Sequence, residues 1–153
     1  MSREIVTNLD QQFAALVNSL KRLASSVPAA LLYRNPPAVS IGESILRSAA
    51  AIEQTCGGLT SNLWDDPFEW TLPEALPTPA HVAEYLSEAE ATRLRAFQSF
   101  RADSDLSKEI ATPSGEMMTV FALVAETLAR AAHHQGRAYA TFRLFSEERL
   151  PRV

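Results

Sequence analysis

The chain has 153 residues, of which 46% are hydrophobic and 21% are charged, and its formal net charge at pH 7 is -4. This length and composition predict one globular domain over residues 1–153 and argue against a disordered or a membrane protein. The negative charge argues against a nucleic-acid binder, because affinity for phosphate backbones comes from clustered Lys and Arg.

The single cysteine and the lack of long apolar runs indicate the compartment. Cys56 cannot form an intramolecular disulfide, and the segment from Met1 to Asp10 lacks an apolar signal core. No stretch approaches the ~18 consecutive apolar residues that a membrane-spanning helix requires. We therefore expect a soluble, cytoplasmic protein.

The first predicted helix runs from Ser2 to about Ser25. Its apolar residues recur at spacings of three and four, which places them on one helical stripe: Ile5, Leu9, Phe13, Leu16, Leu20 and Leu23. The following segment, 27–39, contains Pro28, Pro36 and Pro37, and a proline disfavours helix in the residue before it. This segment is predicted to be a connector containing one short turn.

The second predicted helix begins at Ser40. The sequence Ser40-Ile41-Gly42-Glu43 has the spacing of a capping box, in which the Ser and Glu side chains satisfy free backbone N–H groups at a helix start. An apolar stripe continues to Leu59, and Gly57-Gly58 predicts the end of the helix, because glycine adopts the left-handed geometry that closes helices.

Residues 60–78 form a proline-rich and aromatic-rich loop between the second and third predicted helices. The loop contains Trp64, Phe68 and Trp70 among three prolines, too many for a helix. We expect it to pack over the helices. Its aromatic side chains fit two hypotheses, the lining of a ligand pocket or the lid of the hydrophobic core.

Two further helices are predicted in the C-terminal half. Thr78-Pro79 is a typical helix start, with a capping hydroxyl followed by proline, and the third helix is expected to reach about Arg101. After a polar connector over 103–115, the fourth and longest helix carries an apolar stripe from Met117 to Phe145. The pattern predicts no β-strand, and Gly136 within this last helix suggests close contact with another element.

The most unusual side chains are concentrated between Arg130 and Arg137 of the last predicted helix. Residues four apart share a helix face, so Arg130 and His134 are expected to lie one above the other, with Glu126 one turn earlier. His133 points about 100° away from His134, so the two rings cannot both face one metal ion. Any function is expected to be located here.

The segment from Ser114 to Phe145 resembles the last helix of the DinB/YfiT-like superfamily, especially His134-Gln135-Gly136 followed by Ala138-Tyr139. Residues 40–53 resemble that family's second helix. The resemblance implies an all-α, DinB-like four-helix bundle, often dimeric, with a divalent metal held by one His of helix two and a His-x-x-x-His pair on the last helix. Several members of the family are thiol-dependent transferases or isomerases.

The family's metal-binding residues are incomplete in this chain. His134 matches the second histidine of the pair, whereas the first falls on Arg130, and the helix-two ligand falls on Arg47 or Ser48. Arginine is a fixed cation that repels a divalent ion. His134 is thus the only family ligand position retained, and no metal or other cofactor is predicted.

Three hypotheses follow for this region. The first is a binding or structural bundle, an expected homodimer, whose cationic pocket of Arg130, His134, Arg47 and Ser48 holds a small anionic ligand. The second makes Arg130 an ordinary ion-pair partner of Glu126 or of a helix-two carboxylate such as Glu43 or Glu53, with His134 a satisfied, partly buried residue. The third is a transferase or isomerase dependent on a thiol of the glutathione, bacillithiol or mycothiol type, with zinc or nickel if the metal site is rearranged.

Other polar residues suggest less. Asp65-Asp66, Glu69 and Glu74 are acidic residues of a proline-rich loop and are expected to be solvated rather than catalytic. Cys56 lies on an apolar stripe and is expected to be a small core residue, as are Met117 and Met118.

Overall fold

A computed structural model describes residues 1–34, 39–69, 71 and 73–145. The described residues are mostly α-helical, so the all-α prediction is confirmed. The helices are α1 (Glu4–Ser26), α2 (Ala29–Leu32), α3 (Ile41–Ser61), α4 (Pro79–Ser99) and α5 (Val120–Phe145). Short 3₁₀ turns lie at Pro67–Glu69 and Asp103–Ser107, and Trp70 of the aromatic loop lies outside the described residues.

The four long helices pack in a ring around one hydrophobic core. α3 contacts α4 and α5, and α1 contacts the same two helices on the other side, whereas α1 and α3 contact each other less. Phe13, Ile52, Leu86 and Phe142 supply one fully buried side chain from each helix. None of the described helices combines the length and the apolar character needed to cross a bilayer.

The apolar stripe of α1 is shifted from the predicted one at its N-terminal end. Val6 is fully buried, whereas the neighbouring Ile5 is 48% exposed. From Phe13 to Leu23 the predicted stripe is confirmed. Periodicity alone does not distinguish two adjacent apolar residues.

The start of α3 is confirmed, and its predicted end is wrong. The Ser40 hydroxyl accepts a hydrogen bond from the Glu43 backbone N–H at 3.1 Å, whereas the Glu43 carboxylate pairs with Arg47. The helix continues through Gly57-Gly58 to Ser61 and closes at Asn62, whose φ is 55°. Gly58 lies within the helix, and a larger residue would not fit there, because the Trp64 indole occupies the space where a Cβ would stand.

Two strands replace the predicted connector and the first turn of the last helix. β1 (Glu109–Ala111) and β2 (Met117–Thr119) form an antiparallel hairpin, whose turn contains Gly115 at φ 84°. Met117 is 58% exposed, so its assignment to the core was wrong. A three-residue strand is too short to leave an alternating pattern, and its pairing is determined by the turn.

The predicted start of α4 is confirmed, and the prediction for Gly136 is wrong. The Thr78 hydroxyl accepts a hydrogen bond from the His81 N–H at 3.2 Å, with Pro79 in the first turn. A Cβ on Gly136 would meet no atom within 4 Å among the described residues, so no close contact explains this glycine.

Candidate functional site

Buried hydrogen bonds hold α3 and α5 against each other along the side of the bundle where the candidate residues lie. The Ser48 hydroxyl donates to the Ala131 carbonyl at 2.7 Å, and the hydroxyls of Thr55 and Thr127 are 2.6 Å apart. Both contacts are fully or almost fully buried. They set the register between the two helices, which determines which residues face each other at the surface.

A cavity of about 120 Å³ opens beside this contact, between α3, α5 and the aromatic loop. It has the size of a few water molecules, which is the scale of a small oxyanion. Its lining residues are Arg47, Ala51, Gln54, Asp66, Phe68, Arg130 and His134. Three of the four predicted pocket residues therefore meet at one cavity, although Arg47 precedes Arg130 by 83 residues and His134 by 87 residues in sequence.

Ser48, the fourth predicted residue, does not line this cavity. Its side chain is fully buried and its hydroxyl is used in the contact with Ala131. Arg47 lines the cavity instead. Consecutive helical residues point about 100° apart, which is why only one of them reaches the cavity.

Arg47 is held in place from two sides. Its Nε donates to the Glu43 carboxylate at 3.1 Å within α3, and its guanidinium carbon lies 4.0 Å from the centre of the Phe68 ring. This stacking gives a cation–π contact and fixes the plane of the guanidinium. Phe68 is half-buried and packs against the core, so it serves both as cavity wall and as part of the lid.

Arg130 does not form the ion pair that the second hypothesis requires, in which it is the partner of Glu126, Glu43 or Glu53. Within the described part of the chain, no carboxylate lies within salt-bridge distance of its guanidinium. The proposed partners are engaged or distant, since Glu43 pairs with Arg47 and Glu53 accepts a hydrogen bond from Tyr85. Arg130 is exposed, and its charge is available at the cavity mouth.

His134 lies in a cationic environment. Burial lowers the pKa of its imidazole, and the positive charges of His133, Arg47, Arg137 and Arg130 lower this pKa further. Its Nδ1 is buried and forms no hydrogen bond within the described residues. These charged neighbours are cations and favour an anion beside the ring, whereas Asp66 adds one carboxylate to the lining of the same cavity.

The described residues do not fit the metal ion that the family resemblance implies. No group of three or more His, Cys, Asp or Glu side chains in residues 1–34, 39–69, 71 and 73–145 is arranged to hold one. The resemblance places the first histidine of the pair at Arg130, and a guanidinium has no lone pair to donate to a metal. The metal-dependent alternative has no support in this geometry.

Sequence reasoning missed some members of the cavity and assigned others correctly. Asp66 was grouped with solvated loop acids, yet it lines the cavity, and its carboxylate accepts the backbone N–H of Phe68 at 3.0 Å. Gln54 was also missed, although it lies seven residues after Arg47, on the same helix face. Cys56 is buried, which raises the pKa of its thiol to about 12, in keeping with a core residue.

Comparison with known protein families and with functionally characterised proteins finds no match to this chain. The functional conclusion therefore depends on the geometry of the cavity and on the resemblance of the motifs between Ser40 and Phe145.

Proposed function

We propose that this chain is a DinB-like helical bundle that lacks the family's catalytic metal and binds a small anionic ligand in the cavity between α3 and α5. The observation that carries the proposal is the arrangement of Arg47, Arg130 and His134 around one cavity with Arg130 unpaired among the described residues. A positive charge in place of a metal ion preserves the preference of the site for an anion.

Each lining group has a role in this proposal. Arg130 supplies a free guanidinium, which is suited to bidentate contact with a carboxylate or phosphate group. Arg47 is oriented by Glu43 and Phe68 and adds a second set of donors. His134 adds an imidazole, and a bound anion raises its pKa by stabilising the protonated ring.

Asp66 is the main opponent of anion binding. Its carboxylate lines the same cavity and repels a second anion, so it limits the affinity of the site. The proposal therefore requires the cationic residues to outweigh one carboxylate. Asp66→Asn is therefore expected to tighten anion binding, and unchanged affinity in this variant would show that the Asp66 carboxylate does not act on the bound anion.

Titration with inorganic phosphate and with malonate, followed by NMR of the imidazole resonances, tests the proposal. We expect saturable shifts of His134 and a weakening of at least about tenfold in Arg130→Gln, since a hydrogen bond to a charged group contributes about 1.5–3 kcal/mol. The matched control is Arg143→Gln, because Arg143 is exposed on the same helix and lies outside the cavity.

Elemental analysis of protein purified without a metal-affinity tag, followed by zinc and nickel titration, provides the second measurement. The proposal expects no stoichiometric metal. One ion bound per chain would overturn it and favour the thiol-dependent transferase or isomerase. Equal phosphate affinity of Arg130→Gln and the unaltered protein would also contradict the proposal.

The proposal includes a homodimer built on the groove between α1 and α5. Two cavities of about 550 and 350 Å³ follow this groove, with Leu9, Leu128 and several alanines along the first and Ile5 and Phe121 in the second. Ile5 and Phe121 are 48% and 46% exposed. A second copy presenting the same face would remove these apolar side chains from water.

A further inference from the structure

Another cavity, distinct from those described above, lies on the other side of the aromatic loop, at the C-terminal half of α3. It has a volume of about 300 Å³, which reaches the range of about 300–1,000 Å³ typical of small-molecule sites. Its lining residues are Glu53, Gly57, Thr60, Ser61, Leu63, Asp65, Pro67, Thr92 and Arg95. It shares no described lining residue with the cationic cavity, so it is a separate site.

The charges of this lining are mixed and unevenly distributed. Glu53 and Asp65 contribute two carboxylates from α3 and the loop, and Arg95 contributes one guanidinium from α4. The carbonyl end of α3 adds partial negative charge close to Ser61. The lining therefore offers acceptors for a cation and one cationic group for an anion.

Glu53 is fixed in a partly desolvated position. The buried Tyr85 hydroxyl donates a hydrogen bond to Glu53 Oε2 at 2.7 Å. Among the described residues, no other group donates a hydrogen bond to this carboxylate. Burial raises the pKa of Glu53, and the negative charge of Glu88 raises it further, whereas the Tyr85 hydrogen bond and the positive charge of Arg95 oppose these effects. A carboxylate that has lost part of its hydration gains when a cationic ligand contacts its remaining oxygen.

Arg95 is oriented toward the same space from the opposite wall. Its Nη2 donates to the Thr92 hydroxyl at 3.1 Å, and none of its nitrogens lies within salt-bridge distance of a carboxylate in the described part of the chain. Its remaining donors are available for a ligand carboxylate. Leu63 and Pro67 add apolar surface between the charged groups.

We infer that this cavity binds a small α-amino acid, with its ammonium group on Glu53 and Asp65, its carboxylate on Arg95, and its aliphatic side chain against Leu63 and Pro67. A zwitterion matches both signs of charge in the lining, whereas a simple amine leaves Arg95 without a partner and a simple acid faces two carboxylates. This inference does not depend on the function of the cationic cavity.

Three matched probes test the assignment in the intact chain. L-Norvaline carries both charges, n-butylamine lacks the carboxylate and pentanoate lacks the ammonium group. Binding is followed by calorimetry and by NMR shifts of the residues that line the cavity. We expect saturable binding of L-norvaline and at least about tenfold weaker binding of the other two, because each loses a charge-assisted contact.

Variants connect the binding to the named residues. Arg95 and Asp65 are both exposed, so the variants Arg95→Gln and Asp65→Asn are expected to fold normally. Each variant should weaken L-norvaline binding by about tenfold. Glu53→Gln should do the same, with its melting temperature measured because Tyr85 contacts it. Arg130→Gln is the matched control in the other cavity and should leave L-norvaline affinity unchanged.

Three results would overturn the inference. They are the absence of saturable L-norvaline binding, butylamine binding as tight as that of L-norvaline, and loss of L-norvaline binding in Arg130→Gln. The last result would place the ligand in the cationic cavity. A fall in affinity as pH decreases through the raised pKa of Glu53 would support the assignment, since protonation removes the charge that holds the ammonium group.

Discussion

At the scale of single residues, the neighbours of His134 determine the charge state of its imidazole ring. Its ring is half-buried, its Nδ1 is without a hydrogen bond among the described residues, and Arg47, Arg130 and Arg137 surround it. Among the described residues that line this cavity, Asp66 is the one that carries a carboxylate. A neutral imidazole is the form that this environment favours in the absence of a bound anion.

The lowered pKa of His134 makes stability depend on pH. In the unfolded chain the ring binds a proton near its ordinary pKa of 6.5, whereas in the folded chain protonation is delayed to lower pH. The free energy of unfolding should therefore fall as pH decreases from above 6.5 through the folded pKa, because the unfolded state binds more protons.

Denaturant unfolding of the unaltered protein and of His134→Gln over this pH range measures the effect. The slope of unfolding free energy against pH should be smaller in the variant. His81→Gln, at an exposed position on α4, is the control and should retain the full slope. An unchanged slope in His134→Gln would show that other groups cause the pH dependence. With saturating phosphate present, the slope should also decrease, since the anion favours the protonated ring.

At the scale of secondary-structure elements, a buried charge network joins α1 to α4. The Arg93 side chain is 2% exposed, its Nε and Nη2 donate to the Glu90 carboxylate at 2.9 and 2.8 Å, and its Nη1 donates to the Asp10 carboxylate. Arginine is almost never fully buried unless it is paired. The network explains how a charged side chain faces the core.

Arg93→Met should destabilise the protein by about 3 kcal/mol, because it leaves Asp10 and Glu90 without their counterion in a partly desolvated position. Chemical denaturation measures the change. Arg95→Met is the matched control on the same helix, where an exposed guanidinium should contribute less than about 1 kcal/mol. A similarly small loss in Arg93→Met would mean that the methionine side chain replaces the packing of the ion-pair network.

At the scale of the whole molecule, the apolar residues between α1 and α5 determine the expected assembly. The groove is lined by Leu9, Leu128 and alanines, and a cavity at the N-terminal ends of both helices carries exposed Ile5 and Phe121. Gln135 and Tyr139 tie α5 to Ser19 of α1 beneath it, so the groove has a fixed floor. Two copies related by a twofold axis would each present this surface to the other.

Light scattering on the unaltered protein should give twice the chain mass of 16.8 kDa. Ala129→Glu, which places a charge in the groove, should give the monomer mass, because a buried unpaired carboxylate opposes association. Ala91→Glu on the exposed side of α4 is the control and should remain dimeric. A monomeric unaltered protein, or a dimeric Ala129→Glu, would contradict the proposed interface.

The sequence alone determined the elements that depend on local chemistry. The caps at Ser40 and Thr78, the helical stripes from Phe13 to Leu23, and the all-α class each follow from interactions within a few residues. The candidates Arg130 and His134 were also identified from sequence, because charged side chains are unusual within an otherwise apolar helix, whereas Arg47 was one of two positions that the family resemblance implied.

Only the tertiary structure decided which residues face one another. Ser48 faces the core and Arg47 faces the cationic cavity, which Asp66 also lines. Glu53 and Arg95 line a separate cavity together. The Met117–Thr119 strand also depends on its partner strand rather than on its own residues. Such contacts join residues that are far apart in sequence. They depend on the register and rotation of the packed helices. Side-chain packing across the core determines this register and rotation, whereas local periodicity does not.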